Sequence, residues 1–329
     1  MYTLEMSPTR ISIGKLIKLY RLICEIKADV IQTWMYHADL VGGVVARIAG
    51  KKNVVWGVRA SNLVSQNHRM TFFVRWLCAR LSHIVPDKII TNSRAAVAIH
   101  ASLGYNERKM EVVYNGFDLD VLKPDPLAGA QIRSELGVDS NGFLLGMVAR
   151  WDPHKDHSNL FTALSLLCRS GFYDWTCVLV GSDMTEQNEV LMNLLVKHGV
   201  REKIILLGPR QDIGSVMNAL DVHVLSSVSE AFPNVVAEAM ACEIPCIVTD
   251  VGDSACLVGE TGWVVPHSDP LALSEALASA MTLLKEPAAR SERKRISRER
   301  VFENFSLSRM LCCYSDIWGK TLSGSGRKS

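Results

Sequence analysis

The chain has 329 residues, which predicts about two domains, and its 48% hydrophobic and 21% charged residues are typical of a globular protein that needs no disulfide or metal to fold. No apolar run reaches the roughly eighteen residues of a membrane-spanning helix. The net charge of +2 is unevenly distributed: residues 1–120 carry sixteen Lys/Arg and nine Asp/Glu, and the remainder carries twenty and twenty-five. The basic first part indicates an anionic partner, for which an anionic lipid surface or a phosphorylated acceptor fits. No nucleic-acid-binding motif is present.

Short apolar runs alternate with helical patterns along the first part of the chain, which predicts βαβ units and a parallel sheet. Helices are expected at 11–27, 38–49, 69–83 and 93–103, and strands at 30–33, 54–58, 88–91 and 111–114. The proline-rich stretch 123–126 predicts a linker, because each proline keeps the residue before it out of the helical region.

A complete doubly wound sheet has about six strands, and the first part of the chain has only four predicted strands. The first strand of such a sheet normally lies at its centre. The chain opens on a helix. We therefore expect the first strand and its loop, roughly fifty residues by ordinary βαβ spacing, to be absent. Two inner strands would then have unpaired edges.

The second part of the chain repeats the alternation with a full set of elements, which predicts a doubly wound α/β domain. A last helix at about 307–318 has an apolar stripe to bury, and the tail at 321–329 is expected to be disordered. The predicted strands are 143–149, 175–181, 204–207, 222–226, 245–249 and 262–265, and the helices are 157–169, 186–198, 211–219, 233–242, 270–284 and 287–303.

Two carboxylates, Glu230 and Glu238, lie eight residues apart across a loop-to-helix transition. Pro233 suits the first helical turn, where its missing N–H would be unpaired anyway, and the free N–H groups of Asn234 and Val235 can bind a phosphate. Glu238 can accept two hydrogen bonds from a ribose diol, and Glu230 can meet sugar hydroxyls. The alternative is a helix whose acidic first turn is stabilised by the helix dipole.

Two cations, Arg150 and Lys155, follow the predicted strand at 143–149. Ligands of parallel α/β sheets bind beyond the carboxyl ends of the strands. A diphosphate fits this pair, with the guanidinium as a fork and the ammonium as a point charge. A solvated loop is the alternative for the cations alone, but the acidic motif also follows a strand of the same domain.

With these motifs and their neighbours the chain resembles family 4 glycosyltransferases of the GT-B fold, over about residues 28–318. The resemblance implies two Rossmann-like doubly wound domains that face a cleft, the N-terminal one incomplete: 1–122 joined by a C-terminal helix at 305–320, and a donor-binding domain at 123–304. The matching segments are Val148–Arg150 with Lys155, Leu179–Gly181, Leu207–Gly208, Asp221–Ser227, Ser229–Met240, Pro245–Gly252, Thr261–Pro266 and Asn115–Asp118.

The resemblance also implies a retaining transfer from a nucleotide diphosphate sugar, with no metal or other cofactor. Arg150 and Lys155 would hold the diphosphate and stabilise its charge as it leaves, and Glu230 would touch the donor sugar. The domains would close on the donor and exclude water.

The rest of the donor site follows from the same resemblance. Glu238 would hold the ribose, and Pro233 with the amides of Asn234 and Val235 would contact phosphate or sugar. Contacts to the base would come from the backbone around Gly208, Arg210 and Gln211.

The chain departs from the family's pattern in its first part. The family's opening glycine-rich loop is missing, and Arg59 stands where the family often has a histidine. His37 is expected in an acceptor-side loop. Either residue can serve the acceptor, with a structural role as the alternative.

The segment 69–83 mixes apolar residues with Arg69, Arg75 and Arg80. A partly buried helix with basic outer positions is the favoured interpretation. The alternative is a helix that lies on an anionic membrane to reach a lipid-linked acceptor.

Other classes fit less well. A metal-dependent GT-A transferase is indicated only by the Asp-x-Asp of Asp118 and Asp120, which has no further ligands nearby. A nicotinamide dehydrogenase would need a Gly-x-Gly-x-x-Gly motif, which is absent. A GT-B sugar epimerase fits the Glu230–Glu238 pattern poorly. The serious alternative is a truncated homologue that binds a nucleotide sugar and does not transfer it.

The sequence therefore predicts a hexosyltransferase-type enzyme of cell-surface polysaccharide or lipopolysaccharide biosynthesis, with a saccharide or lipid-linked acceptor; the biosynthetic context rests on the family alone. The nine cysteines show no pairing pattern, so we expect free thiols and a cytoplasmic protein, peripheral on the inner face of the membrane if the membrane-lying helix is correct.

Overall fold

The structure is a computed structural model that describes residue 3 and residues 12–59, 69–139 and 142–325. The chain forms two compact units, the first running to Tyr114 and including Met310 onwards, and the second spanning Asn115–Arg309. The sequence places the boundaries after residues 122 and 304 instead. Each unit is built around one parallel sheet.

The first unit contains a four-stranded sheet in the order β1-β2-β3-β4, with every neighbouring pair parallel. The expectation of two inner strands with unpaired edges is wrong, because among the described strands only β1 and β4 have a single neighbour. The strands are β1 Ile31–Gln32, β2 Val54–Val58, β3 Lys88–Thr91 and β4 Met110–Val112, and the helices are α1 Ile13–Ile26, α2 Tyr36–Ile48, α3 Arg69–Leu81 and α4 Arg94–Ser102.

The alternation of side chains along β2 divides the core of the first unit into two layers. Val54, Trp56 and Val58 face a cluster that includes residues of α2 and α3. Val55 faces the opposite layer, which contains Tyr314 from the last helix. Trp56 fits below α2 because Gly43 has no side chain, and a Cβ there would lie 2.4 Å from the indole Nε1 of Trp56.

The second unit contains a six-stranded parallel sheet in the order β10-β9-β8-β5-β6-β7. The chain runs outwards from β5 on one side and then from β8 on the other, so the direction of winding reverses between these two adjacent strands. The strands are β5 Phe143–Val148, β6 Trp175–Val180, β7 Ile204–Gly208, β8 Val222–Leu225, β9 Cys246–Thr249 and β10 Trp263–Val265.

Helices cover both faces of this sheet. Leu145 and Met147 of β5 share one core with Leu164 and Leu277. On the other face, Leu220 packs against Gly146, where a Cβ would lie 2.5 Å from the leucine side chain. The helices are α5 Pro126–Glu135, α6 His157–Arg169, α7 Glu189–Lys197, α8 Ile213–Ala219, α9 Asn234–Ala241, α10 Ser254–Val258, α11 Pro270–Leu283, α12 Pro287–Phe305 and α13 Leu307–Ser325.

The helix α5 is not predicted by the sequence pattern, and its beginning falls in the predicted linker at 123–126. Asp125 lies outside the helical region with φ −139° and ψ 85°, as the proline rule requires, but Pro126 occupies the first helical turn. The Asp125 carboxylate accepts a hydrogen bond from Ala128 N at 3.0 Å and caps the helix.

The tail predicted at 321–329 is wrong for residues 321–325, which continue α13. Thr321 is buried, and its hydroxyl donates a hydrogen bond of 2.7 Å to Ile317 O. Residues 326–329 lie outside the described part of the chain.

A buried carboxylate joins three elements of the second unit. Asp221, with a side chain only 3% exposed, precedes β8 and forms ion pairs with Arg133 of α5 and Arg290 of α12. Its Oδ2 also accepts a hydrogen bond of 2.8 Å from Leu144 N of β5. The cost of burying Asp221 is therefore offset only while both cations remain in place.

We expect Asp221→Ala to lower the free energy of unfolding of the second unit by about 3–5 kcal/mol, because Arg133 would remain buried without its partner. Urea unfolding followed by far-UV circular dichroism measures this change. The matched control is Asp212→Ala, which removes an exposed partner of Arg210 and should cost about 1 kcal/mol or less. Equal midpoints for the two variants would contradict the role of Asp221.

Candidate functional site

The candidate site lies in the second unit, where β5 and β8 end side by side. Gly146 of β5 is in register with His223 of β8, so the loops that follow both strands emerge together. Val228 N donates a hydrogen bond of 2.9 Å to His154 O. The Ser226 hydroxyl lies 3.0 Å from the carbonyl oxygens of both Lys155 and Asp156. The two loops therefore form one rigid edge at the position where parallel sheets bind ligands.

An ion pair between Lys155 and Glu230 is the centre of this edge. Lys155 Nζ lies 2.5 Å from Glu230 Oε1, and the Ser227 hydroxyl donates to the same oxygen at 2.7 Å. Both side chains are largely buried. No described residue bonds Glu230 Oε2, so this oxygen is available to a ligand hydroxyl.

Arg150 follows β5 but points into solvent, with a side chain that is 67% exposed. Its Nε donates to Asp152 Oδ2 at 3.0 Å. Partial burial raises the pKa of Asp152, but the hydrogen bond from His154 N and the Arg150 guanidinium outweigh this effect and hold the pKa below its usual value. The guanidinium is thus tethered beside the site and remains accessible to an anion.

The helix α9 begins at Asn234, and Pro233 is its N-cap with φ −77° and ψ 97°. The prediction that Pro233 lies in the first helical turn is therefore wrong by one residue, because Pro233 is the N-cap and its backbone is extended. Val236 N already donates to Pro233 O at 3.1 Å, which leaves the earlier amides of Asn234 and Val235 at the helix start. Asn234 also accepts a hydrogen bond of 2.8 Å from Asn115 Nδ2.

Glu238 lies one turn into α9, and its carboxylate makes no hydrogen bond or ion pair with a described residue. Burial raises the pKa of Glu238 above its usual value. A half-buried carboxylate without a partner can be satisfied by a ligand that donates two hydrogen bonds.

The loop that carries Glu230 is supported from below by β9 and the turn after it. Thr249 donates to Ser227 O at 2.5 Å, and Asp253 N donates to Ala231 O at 2.9 Å. Gly252 has φ +59°, and a Cβ there would lie 2.3 Å from Glu230 O. Gly252 belongs to the matching segment Pro245–Gly252, but its role follows only from the close approach of the two backbones in the structure.

Two buried histidines that the sequence analysis gave no role lie below the site. Val148 N donates a hydrogen bond of 3.4 Å to His223 Nε2, and the centroids of the His157 and Trp151 rings lie 4.9 Å apart. Burial, and then the charge of Lys155, lowers the pKa of His157 to about 4 and that of His223 to about 3. Both rings are therefore neutral at pH 7.

The loop after β7 contains the residues assigned to the base. Gly208 is buried with φ +63° and donates its N–H to Met184 O at 2.9 Å. The Arg210 side chain forms ion pairs with Glu135 and Asp212, whereas Gln211 is exposed. Arg210 therefore has only its backbone free for a ligand.

A cavity of about 480 Å³ opens between the ends of β5 and β6. Its volume suits a small ligand. It is lined by Trp151, Asp183, Thr185, Gln187, Asn188, Glu189 and Val190.

The two acceptor-side candidates lie in the first unit. His37 is not in a loop, because α2 begins at Tyr36 and His37 occupies its first turn. The Arg59 guanidinium lies 4.5 Å from the centre of the Trp34 ring and donates to Tyr314 OH at 3.3 Å. Arg59 therefore has a packing role that the sequence did not reveal.

The Asp-x-Asp of Asp118 and Asp120 forms a turn. Asp118 Oδ1 accepts hydrogen bonds from the backbone N–H groups of Asp120 and Val121 at 3.0 and 3.4 Å. This hydrogen-bonding pattern is typical of an aspartate at the start of a turn.

Comparison with known proteins identifies the family. Residues 130–297, more than half of the chain, match the family model described as Glycosyl transferases group 1. The chain belongs to this family. Residues 4–121 match a second model, Glycosyltransferase Family 4, so the resemblance drawn from the motifs is confirmed.

Individual relatives agree with this assignment. The chain is 27% identical over 244 residues to UDP-Gal:alpha-D-GlcNAc-diphosphoundecaprenol alpha-1,3-galactosyltransferase of Escherichia coli, covering 74% of this chain and 63% of that protein. It is 27% identical over 263 residues to the lipopolysaccharide core biosynthesis mannosyltransferase LpcC of Rhizobium leguminosarum bv. viciae, covering 77% and 69%. The chain thus spans 63% and 69% of the length of these two relatives.

Solved structures confirm the expected GT-B fold. The structure of Anabaena HepE in complex with UDP has a TM-score of 0.79 to this chain at 22% identity, and the likeness covers 93% of this chain and 82% of that one.

We expect Gly252→Ala to lower the free energy of unfolding by about 1–3 kcal/mol, because the residue has a positive φ and the new Cβ would collide with Glu230 O. Urea unfolding measures this change. Gly214→Ala is the control, since its Cβ would enter open space. Equal midpoints for the two variants would contradict the close approach of the two backbones.

The second unit should lose stability as the pH falls from about 6.5 towards 4, because unfolding lets His157 and His223 bind the protons that they reject when folded. Each histidine adds a slope of up to about 1.4 kcal/mol per pH unit in this window. The free energy of unfolding at pH 7.0 and 5.5, compared between the wild type and His157→Gln, measures the slope. The variant should lose about half of the histidine contribution, and an identical slope would contradict the neutral state of His157.

Proposed function

We propose that the chain is a glycosyltransferase that moves a hexose-type unit from a nucleotide diphosphate sugar to a saccharide or lipid-linked acceptor with retention of configuration. The observation that carries this proposal is the contact of Lys155, Glu230 and Ser227 at the ends of β5 and β8. Membership of the glycosyl transferases group 1 gives the reaction class its support.

Lys155 and Arg150 act on the diphosphate. In the resting site Lys155 is held by Glu230, and Arg150 is held by Asp152. A bound diphosphate brings negative charge that competes for both cations, so each can turn from its carboxylate to a phosphate oxygen. The same charges stabilise the diphosphate as the bond to the sugar breaks, which makes side-chain cations the counter-charge in place of a metal.

Glu230 and Glu238 have separate roles. Once Lys155 binds phosphate, Glu230 keeps its hydrogen bond from Ser227 and presents carboxylate oxygens to the sugar hydroxyls. Glu238 accepts hydrogen bonds from the ribose diol, which satisfies the half-buried carboxylate. The amides of Asn234 and Val235 at the start of α9 add donors for phosphate or sugar.

The names of the relatives suggest which donor and acceptor substrates to test first. The Escherichia coli relative is named for UDP-Gal and a GlcNAc-diphosphoundecaprenol acceptor, and HepE is described with bound UDP. These names support the proposal that the chain acts in cell-surface polysaccharide or lipopolysaccharide biosynthesis, with a uridine nucleotide sugar as the first donor to test. The cytoplasm is the proposed location, since all nine cysteines are free.

Lys155→Met should weaken UDP binding at least about tenfold and leave uridine binding unchanged, because the ammonium meets only the diphosphate. Glu238→Gln should instead reduce the preference for UDP over 2′,3′-dideoxy-UDP, since it alters the acceptor of the ribose hydroxyls. Isothermal titration calorimetry with UDP, GDP and these analogues measures both effects.

The matched control is Lys197→Met, which removes an exposed lysine from the last turn of α7. Nuclear magnetic resonance of the product made from UDP-glucose or UDP-galactose reports turnover and the anomeric configuration. Donor binding without any product would favour the alternative of a binding protein that does not transfer. If neither UDP nor GDP binds, or if Lys155→Met binds as tightly as the wild type, the proposed donor site is wrong.

A further inference from the structure

A second cavity lies in the second unit, at the end of the sheet opposite to the candidate site. Its volume of about 520 Å³ is in the range of pockets that hold small ligands. The walls come from α5, α8 and α12 and from the turn after α9, so they precede the strands β5, β8 and β9. We call it the rear cavity and define it by Pro126, Arg133, Val138, Glu243 and Lys294, which all line it.

The rear cavity contains a cation without a counter-charge. Lys294 of α12 is half-buried, and its ammonium forms no hydrogen bond or ion pair with any residue that the structure describes. Burial lowers the pKa of Lys294, and the nearby charge of Arg290 lowers it further. Glu243 and Asp221 raise this pKa by a smaller amount, and Arg133 again lowers it. The surroundings of the ammonium therefore disfavour its charge.

The neighbouring charged groups cannot supply the missing partner. Asp221 is bonded to Arg133 through Oδ2 and to Arg290 through Oδ1. Glu243 lines the same cavity but forms no ion pair with Lys294. All three nitrogens of the Arg133 guanidinium donate hydrogen bonds within the protein. Among the charged groups that line the rear cavity, Lys294 is thus the one that can bind an anion.

The shape of the rear cavity is fixed before any ligand arrives. Gly129 of α5 packs directly on α8, where a Cβ would lie 2.3 Å from Asn218 O. The Asn218 side chain accepts a hydrogen bond of 2.7 Å from Asp125 N and donates one of 3.0 Å to Lys123 O. These contacts hold the segment before α5 against α8. A preformed site loses less conformational entropy when it binds a ligand.

Apolar groups form the rest of the lining. Pro124, Pro126 and Val138 contribute hydrocarbon surface, and Cys242 is buried. Burial raises the pKa of the Cys242 thiol to about 11, so the sulfur is uncharged at pH 7. A ligand that fills this space therefore needs an apolar body as well as an anionic group.

The charge of the ligand follows from the same residues. A half-buried ammonium has lost part of its hydration, and an anion restores the balance through charge-assisted hydrogen bonds. One cation without a partner matches a single negative charge. A second negative charge on the ligand would meet the Glu243 carboxylate, so a carboxylate suits the rear cavity better than a phosphate dianion.

We propose that the rear cavity binds a small organic monocarboxylate, with its carboxylate on Lys294 and its apolar body against Pro124, Pro126 and Val138. The rear cavity precedes β8, whereas the donor-site loops follow it, and the four residues of this strand span about 13 Å. The two sites are therefore separate. The proposal goes beyond the transfer reaction and does not require it.

Saturation-transfer nuclear magnetic resonance with benzoate as the probe tests the proposal on the full chain, in the presence of excess UDP. Benzoate should bind with a Kd on the order of 1 mM. Benzamide has the same shape without the charge, and acetate has the charge without the apolar body. Both should bind at least about fivefold more weakly than benzoate.

Variants locate the site. Lys294→Met should weaken benzoate binding at least about tenfold and leave benzamide binding unchanged. Glu243→Gln should strengthen benzoate binding about twofold or more, because it removes the opposing charge. The matched control is Lys285→Met, which changes an exposed lysine just before α12 and should bind benzoate as the wild type does. Unchanged far-UV circular dichroism and melting temperature exclude misfolding as the cause.

Three results would overturn the proposal. Benzoate and benzamide could bind equally well, which would assign the signal to apolar contact alone. Excess UDP could displace benzoate, which would place it in the donor site. Lys294→Met could bind benzoate as tightly as Lys285→Met, which would place it elsewhere on the protein. Because the variants locate the site without reference to UDP, failure of the proposed donor site leaves this test intact.

Discussion

The ion pair between Lys155 and Glu230 is the interaction on which the geometry of the candidate site depends. The two residues come from loops after adjacent strands, so their ion pair exists only because β5 and β8 pair at the point where the winding of the sheet reverses. The ammonium is largely buried, and a buried cation needs a counter-charge at all times. Glu230 supplies it in the structure. In the proposed mechanism an incoming diphosphate replaces Glu230 beside the ammonium, while Ser227 stays bonded to the carboxylate.

The residues below this ion pair are neutral, so Lys155 is not repelled by a second positive charge there. His157 and His223 lie close enough to Lys155 for its charge to lower the pKa of both, in addition to the larger effect of burial. Neutral rings can fill the space below the loops without repelling the ammonium. At the opposite end of β8 the signs are reversed, because the buried anion Asp221 forms ion pairs with two arginines. Both ends of this strand thus depend on satisfied charges.

The sequence predicted most strands within a residue or two because parallel strands buried on both faces appear as continuous apolar runs. It failed at α5, where the correct rule for the residue before a proline was applied without the complementary rule that proline suits a first helical turn. For α3 it correctly predicted a partly buried helix with Arg80 exposed but not the burial of Arg75, since helical periodicity shows that two sides differ but not which side faces the core. The family pattern located Arg150, Lys155 and Glu230, yet the contact of Arg59 with Trp34 and Tyr314 joins residues far apart in the chain and leaves no local signal.

The space that Gly43 leaves above Trp56 has an optical consequence. The indole is fully buried, and its N–H has no hydrogen-bond partner among the described residues. An indole in such dry surroundings emits at short wavelength, because no solvent dipoles relax around its excited state. Separation of α2 from β2 would admit water to this ring and shift its emission to longer wavelength, so the emission wavelength of Trp56 reports on the packing of α2 against the sheet.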